Sequence, residues 1–171
     1  MEEINEEMFP IVDENGNVVG KATRKECHSG SRLLHPVVHL HVFDRQGRLY
    51  LQKRAHSKII QPDKWDTAVG GHVDYGETVM QALRRETREE LGLLDFEPRE
   101  LFRYVFDSDV ERELVNAFCT VTDCAAFDYD TTEVSDGRFW TLDEIHRSMG
   151  QGVLTPNFEQ EFVKLAEALK L

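Results

Sequence analysis

Cysteine is scarce in this chain, which has only three cysteines in 171 residues. Cys27, Cys119 and Cys124 are an odd number, and their spacing is not that of a metal site. Such usage excludes a disulfide-stabilised scaffold and a cysteine-rich zinc module, and it indicates reduced thiols. Because Cys119 lies within an apolar run, we expect its side chain in the protein core.

Long hydrophobic runs are also missing from the sequence. No apolar segment approaches the roughly 18 residues that a membrane-spanning helix needs. The N-terminal segment 1–9, MEEINEEMF, is acidic and lacks the basic and apolar regions of a secretory signal. We therefore expect a cytoplasmic protein with no membrane partner.

Positive charge is in short supply, with 20 Lys and Arg residues against 32 Asp and Glu and a formal net charge of −12. This balance repels a phosphodiester backbone, so we expect no nucleic-acid partner. The negative net charge remains compatible with a small anionic substrate if a divalent cation bridges the substrate and the protein. The length and the 40% of hydrophobic residues predict a single domain, residues 1–171.

Hydrophobic periodicity predicts strands and helices without regular βαβ alternation. Asn15-Gly16 indicates a turn between two short strands, and a hairpin over 34–53 is expected at the centre of a sheet. Further strands are predicted at 67–69, 101–106, 114–122 and 137–140, and helices at 78–91, 142–148 and 158–169. This order indicates an α/β protein in which a mixed sheet carries helices on both faces.

The most informative segment is 71–93, GHVDYGETVMQALRRETREELGL. Its helix places Glu86, Glu89 and Glu90 on one face, because positions i, i+3 and i+4 adjoin at 3.6 residues per turn. Three like charges this close favour a bound cation. Mg²⁺ or Mn²⁺ fits best, since these hard ions prefer oxygen ligands and commonly act on phosphates. A solvated acidic surface helix is the alternative interpretation.

This segment resembles the Nudix box, the signature of the Nudix hydrolase superfamily. The box reads Gly, five residues, Glu, seven residues, then Arg-Glu-hydrophobe-any-Glu-Glu-any-Gly-hydrophobe. The matching residues are Gly71, Glu77, Arg85, Glu86, Glu89, Glu90, Gly92 and Leu93. Thr87 departs from the pattern at a position that usually holds Ile, Leu or Val. The resemblance implies a Nudix-type α/β/α sandwich with a mixed β-sheet and a hydrolase of phosphoanhydride bonds.

The same resemblance implies roles for individual residues. The implied ligands of Mg²⁺ or Mn²⁺ are Glu86, Glu89, Glu90 and the backbone carbonyl of Gly71. Arg85 would orient a ligand carboxylate through a planar pair, and Glu77 would lock the loop onto the helix. Ordinary surface positions are the alternative for Arg85 and Glu77.

A second set of residues has the composition of a metal site. It consists of His28, His35, His72, Glu111 and Glu113. Imidazoles and carboxylates together suit an ion of the Mn²⁺ or Zn²⁺ type. The set resembles the metal site of type I isopentenyl-diphosphate isomerase, a non-hydrolytic member of the superfamily. Separate structural roles for the histidines are the alternative.

Two departures from the isomerase favour hydrolysis. The isomerase has a cysteine immediately before its Gly-His, where it takes part in proton transfer at carbon, and Gly70 stands at that position here. The helix carboxylates, part of which the isomerases have lost, are intact. We therefore expect hydrolysis of a nucleoside diphosphate linked to another moiety, or of a similar diphosphate. The alternatives are an isopentenyl-diphosphate isomerase and a non-catalytic ligand-binding domain.

Basic side chains are expected to contact the small-molecule diphosphate. The candidates are Arg24, Lys53, Arg54 and Lys58, each with a solvated surface as its alternative. The general base is expected among Glu89, Glu111 and Glu113.

Specificity should lie in the loops outside the box, at 123–135 and 150–157. Phe127, Tyr129 and Phe158 are candidates to stack a base, although core or loop packing explains these aromatics equally well. A homodimer is a further expectation, because dimers are common in the superfamily.

Overall fold

The computed structural model describes residues 6–171, so the first five residues of the acidic N-terminal segment lie outside the described residues. Its strands are β1 (Met8–Val12), β2 (Val18–Thr23), β3 (Leu34–Phe43), β4 (Leu49–Arg54), β5 (Trp65–Thr67), β6 (Val69–His72), β7 (Arg99–Asp107), β8 (Arg112–Val121) and β9 (Val134–Trp140). Its helices are α1 (Arg24–Cys27), α2 (Val79–Leu91), α3 (Leu142–Ser148) and α4 (Pro156–Leu169). None of these helices is long and apolar enough to cross a bilayer.

Strand β3 is central in the main sheet, whose order is β5-β4-β3-β8-β7. It runs parallel to β8, with His35 opposite Glu113, and antiparallel to β6, with His39 opposite Gly70. The main sheet is therefore mixed, as the sequence predicted. Strands β1 and β2 pair antiparallel in a separate two-stranded sheet.

The expected central hairpin forms only at its turn. Strands β3 and β4 pair at Phe43 and Leu49, and beyond that point they take other partners. Strand β6 pairs with β3, whereas β5 and β9 pair with β4. The turn fixes the near end of the hairpin, but the later pairings depend on strands distant in sequence. The two strands therefore diverge, and the sheet is open between them.

Helix α2 covers one face of the main sheet. Thr78 caps its first turn by accepting a hydrogen bond from the backbone N–H of Gln81, whose side chain returns the contact. Gly92 ends the helix in the left-handed conformation, at φ 66°. The buried side of the helix, including Leu83, packs against inward side chains of β3 such as Leu40.

Helices α3 and α4 cover the opposite face. Phe158, Phe162 and Leu165 of α4 pack with Trp65 and Trp140 in a second apolar cluster. Cys119 belongs to the same cluster, as its apolar neighbours predicted. Helices on both sides of a mixed sheet make the fold an α/β/α sandwich.

Some boundaries differ from the sequence prediction. The segment expected as one strand at 67–69 belongs to two strands, because β5 ends at Thr67 and β6 begins at Val69. The four-residue helix α1 was not predicted, since so short an element carries no hydrophobic period. The loop predicted after β8 is confirmed, as no helix or strand is formed between Val121 and Val134.

Candidate active site

A cavity of about 520 Å³ opens where β3 and β4 diverge. Strand β3 contributes Val37 and His39 to its wall, and β4 contributes Gln52 and Arg54. The remaining lining residues are Arg24, Lys58, Asp66, Thr67, Gly70, Gly71, His72, Glu86, Glu89, Glu90, Glu113, Asp130, Glu133, Val134 and Asn157. The open sheet thus brings the box loop, helix α2 and two distant loops around one space.

The three box carboxylates of α2 line this cavity together. Glu86 packs so closely on Gly71 that a Cβ at position 71 would overlap its carboxyl group, which explains why glycine stands there. Glu90 accepts a hydrogen bond from the backbone N–H of Gly70 at 3.0 Å. The Glu89 side chain is 54% exposed and therefore reaches the open part of the cavity.

Burial shifts the proton affinity of these carboxylates. It raises the pKa of Glu90 to about 8, although the N–H of Gly70 opposes the shift. Burial also raises the pKa of Glu86, against the effect of the neighbouring Arg85. Such carboxyl groups lose their protons when a divalent cation binds, because the charge of the cation then stabilises the ionised carboxylates. The oxygen-rich donor set fits Mg²⁺ or Mn²⁺.

Arg85 connects the box loop to the helix. Its guanidinium donates to both carboxylate oxygens of Glu77, at 2.8 and 2.9 Å, and to Glu86 at 2.7 Å. It also donates to the backbone carbonyl of His72 at 3.0 Å. The paired guanidinium lowers the pKa of Glu77, which therefore stays ionised. Together these contacts fix the orientation of Glu86 beside Gly71.

The second set of residues also converges. Ligand atoms of His28, His35 and His72 lie within 4.8 Å of one another, and the same holds for His35 with Glu111 and Glu113. Nε2 of His28 lies 3.1 Å from Glu111, and Nε2 of His72 lies 3.8 Å from Glu113. Glu111 lies just before strand β8 and Glu113 lies within it, and both carboxylates reach the histidines.

The histidines are arranged as ligands of a metal require. Their Nε2 atoms are buried and have no hydrogen-bond partner among residues 6–171. Nδ1 of His35 hydrogen-bonds to the carbonyl of Leu33 at 3.0 Å, which fixes the proton on Nδ1 and leaves a lone pair on Nε2. Phe9 stacks on His72 at a centroid distance of 4.5 Å and holds the ring in place. Three orphaned nitrogens facing one point fit a bound cation.

The protonation of this cluster agrees with that arrangement. Burial, together with nearby positive groups, lowers the pKa of His72 to about 3, and burial lowers the pKa of His35. Both imidazoles are therefore neutral at pH 7, as metal ligation requires. Burial and the adjacent Glu111 raise the pKa of Glu113 to about 7.

The basic candidates divide into two groups. Arg24, Arg54 and Lys58 line the cavity. Arg24 pairs with Glu7 at 3.0 Å, Arg54 donates to the carbonyl of Ile60 at 3.0 Å, and Lys58 pairs with Glu133. Lys53 is outside the cavity lining, because successive side chains of a strand point to opposite faces and its neighbours Gln52 and Arg54 face inward.

The aromatic candidates for base stacking pack elsewhere. Phe127 contacts Tyr50 edge to face, and Phe158 is 1% exposed in the core. Neither these two nor Tyr129 is among the residues that line the cavity. The loops expected to set specificity do reach it, through Asp130, Glu133 and Asn157.

Sequence reasoning missed one buried polar group beside the cavity. His39 lines the cavity wall, and Glu161 of α4 hydrogen-bonds to it at 2.9 Å. The signal was present, because Glu161 interrupts the apolar face of α4 between Phe158 and Phe162, but its partners are 120 and more residues away.

The fold is thus an α/β/α sandwich with an acidic helix and a glycine loop at the opening of its mixed sheet. A family model described as the NUDIX domain matches residues 33–159. The chain belongs to the Nudix family, whose hydrolases act on diphosphate bonds.

The relatives of this chain include both Nudix hydrolases and isopentenyl-diphosphate isomerases. The chain is 30% identical over 161 residues to an uncharacterised Nudix hydrolase of Streptomyces coelicolor, which covers 94% of this chain and 88% of that one. It is 27% identical over 165 residues to isopentenyl-diphosphate Delta-isomerase 1 of Photorhabdus laumondii, with 92% and 93% covered. The crystal structure of DR0079 from Deinococcus radiodurans aligns with a TM-score of 0.76 at 25% identity, over 91% of this chain and 96% of that one. The resemblance to both branches is confirmed.

Proposed function

We propose that this protein is a Mg²⁺- or Mn²⁺-dependent hydrolase that cleaves the phosphoanhydride bond of a small diphosphate. The class of substrate is a nucleoside diphosphate linked to another moiety, or a similar compound. The observation that carries the proposal is the complete carboxylate set of α2, with Glu86, Glu89 and Glu90 lining one cavity beside Gly71.

The residues of the box have separate tasks in this reaction. Glu86, Glu89 and Glu90, with the backbone carbonyl of Gly71, would hold the ions. When bound, the ions supply charge neutralisation for the diphosphate and a lowered pKa for water. Arg85 and Glu77 hold Glu86 in its orientation through the contacts described above.

The second cluster extends this site. His28, His35, His72, Glu111 and Glu113 would hold a further ion at the end of the cavity lined by His72 and Glu113. Glu89, Glu111 and Glu113 are the candidate general bases for the attacking water. Glu113 is supported by its place in the cavity lining, and Glu89 by its exposure to the cavity.

The substrate would be positioned by basic side chains of the cavity rim. Arg24, Arg54 and Lys58 line the cavity and would contact the diphosphate, whereas Lys53 lies outside the lining. Residues from Arg24 to Asn157 line this one cavity. Their convergence supports the proposal that residues 1–171 form a single domain. A cytoplasmic location and a homodimeric state belong to the same proposal, and cell fractionation and sedimentation test them.

Isomerisation of isopentenyl diphosphate is the second candidate. The histidine cluster and the similarity to the Photorhabdus isomerase favour it. Proton transfer between carbons needs acid–base groups on both faces of the substrate, however, and Gly70 offers no side chain on one of them. The hydrolase has no such requirement.

The decisive experiment compares both reactions on the purified protein. Nucleoside diphosphates linked to a sugar, to a choline or to a second nucleoside are incubated with Mg²⁺ or Mn²⁺, and phosphorylated products are quantified. Isopentenyl diphosphate is followed in parallel by NMR for its dimethylallyl isomer. We expect hydrolysis of at least one compound and negligible isomerisation. Rapid isomerisation with no hydrolysis across the panel would overturn the proposal.

A further inference from the structure

A buried carboxylate on α4 organises the sheet residues behind the cavity. Glu161 is 1% exposed. Its Oε1 accepts hydrogen bonds from Nδ1 of His39 at 2.9 Å and from the hydroxyl of Tyr104 at 2.8 Å. Its Oε2 accepts from Nδ1 of His39 at 3.0 Å and from Nε2 of His41 at 2.8 Å. A carboxylate this enclosed needs such partners, because an unpaired buried charge is very costly.

Only one member of this group reaches the cavity. His39 lines it and its side chain is 24% exposed, whereas His41 is fully buried behind it. Since Nδ1 of His39 is bound to Glu161, the opposite edge of the ring, with Nε2, faces away from α4. Nε2 has no hydrogen-bond partner among the described residues.

Gly70 leaves that edge of the imidazole open. His39 and Gly70 are direct partners in the pairing of β3 with β6. A Cβ at position 70 would lie 3.5 Å from Cδ2 and 3.7 Å from Nε2 of His39. These are van der Waals distances, so any side chain at position 70 would cover the edge of the ring that a ligand otherwise contacts.

The surroundings of His39 are acidic. Glu161 faces it from α4, Glu113 from β8 and Asp66 from β5, while Glu90 on α2 and His72 on β6 are also close enough to interact. Burial lowers the pKa of His39, but the charge and hydrogen bonds of Glu161 outweigh it and raise the pKa to about 9. The buried carboxylate bound at Nδ1 thus favours the charged imidazolium, in which Nε2 also carries a hydrogen.

We propose that His39 binds the diphosphate directly, with Nε2–H donating to a phosphate oxygen, and that Glu161 is the positioning residue which holds the ring in this orientation. This inference rests on the proposed function of the cavity. His39 keeps its proton throughout, so it stabilises the negative charge of the substrate without transferring anything. Unlike Arg24 and Lys58, which are long side chains paired at the rim, it is fixed on the central strand.

The experiment uses methylenediphosphonate, a diphosphate analogue that cannot be hydrolysed, with the Mg²⁺-loaded protein. Histidine side-chain ¹⁵N NMR of the unaltered protein follows Nε2 of His39 during the titration. We expect this resonance to shift on binding, while that of the exposed His56 does not. Binding without a shift of His39, or no binding at all, would overturn the inference.

Two variants measure how much His39 and Glu161 contribute to affinity for the analogue. His39→Gln keeps a polar side chain but loses the charge, and we expect affinity for the analogue to fall by about 10-fold or more, as for loss of a charged hydrogen bond. Glu161→Gln should weaken binding in the same direction and remove the ¹⁵N shift of His39 on titration with the analogue, which a purely stabilising role of Glu161 would not do. His56→Gln is the control, since His56 is outside the cavity.

The outcomes separate this inference from the proposed function. If His39→Gln retains full kcat/KM and full affinity while hydrolysis proceeds, the role of His39 falls and the hydrolase stands. If no diphosphate is hydrolysed but the analogue binds and shifts the ¹⁵N resonance of His39, the binding role of His39 is supported and the proposed hydrolase activity is contradicted. Thermal unfolding of each variant identifies losses due to misfolding, and in that case the NMR titration of the unaltered protein decides.

Discussion

At the scale of single residues, Glu90 is the carboxylate that is held against the backbone of Gly70 at the cavity wall. Glu90→Gln removes one negative charge and keeps the shape. We expect hydrolysis to fall by at least ~100-fold, comparable to removal of other electrostatic stabilisers of a transition state. Initial rates at saturating Mg²⁺ measure the effect.

Glu167→Gln is the matched control, because it makes the same change on the exposed face of α4. It should keep the rate of the unaltered protein. Equal activity of Glu90→Gln and Glu167→Gln, or full activity of the unaltered protein in excess chelator, would contradict the metal mechanism.

The histidine cluster makes a second prediction at the residue scale. His35→Gln removes a buried Nε2 from the set that also contains His28 and His72. We expect Mn²⁺ bound per chain to fall, with an affinity loss of at least ~10-fold for the affected site. Calorimetric titration of the unaltered protein, of His35→Gln and of Glu90→Gln measures it. A stoichiometry that changes only in Glu90→Gln would leave the histidines with a structural role alone.

At the scale of elements, the box loop and helix α2 are joined by one guanidinium. Arg85→Lys keeps the charge, but a point charge on a flexible stem does not reproduce the planar pair with Glu77 and the bond to Glu86. We expect the free energy of unfolding to fall by roughly 1–3 kcal/mol. Denaturant unfolding, followed by circular dichroism, measures the change.

Arg88→Lys is the control for that substitution, because Arg88 lies one turn closer to the C-terminus of α2 with an exposed side chain. It should change stability by less than about 0.5 kcal/mol. Equal losses in the two variants would mean that the Arg85 contacts add nothing specific to the loop.

Elements whose determinants are local were predictable from the sequence. Helix α2 has its capping residue Thr78, its period and its terminal Gly92 within one short segment, so its ends were predicted within a residue. The divergence of β3 and β4 was not predictable, because it depends on β6 and β9, which pair across long stretches of chain. Glu161 was missed for the same reason, since its partners His39 and His41 are on the central strand.

At the scale of the whole molecule, the pair of His39 and Glu161 couples folding to pH. The folded pKa of His39 is raised to about 9 from 6.5, so its contribution is complete below pH 6.5 and is lost as pH rises through 9. The folded pKa of Glu161 is lowered, so its contribution is present above about pH 4.5 and is lost only in acid. The pair therefore stabilises the fold most between these limits.

Glu161→Gln should remove this dependence. We expect the stability advantage of the unaltered protein over the variant to shrink by an amount on the order of 2 kcal/mol between pH 6.5 and 9. Urea unfolding of both proteins at a series of pH values measures the difference. An advantage that stays constant over this range would show that His39 does not carry the charge assigned to it.

The parallel pairing of β3 with β8 has a consequence for how the protein is made. His35 and Glu113 become neighbours only through this pairing, and 78 positions separate them along the chain. Contacts so distant in sequence close late, because the intervening loop must first lose its freedom. Before β8 leaves the ribosome, the growing chain presents the histidines of the cluster, but Glu111 and Glu113 are not yet available. Tight capture of Mn²⁺ by the cluster would therefore be a late event in biosynthesis, and its onset would time the docking of β8.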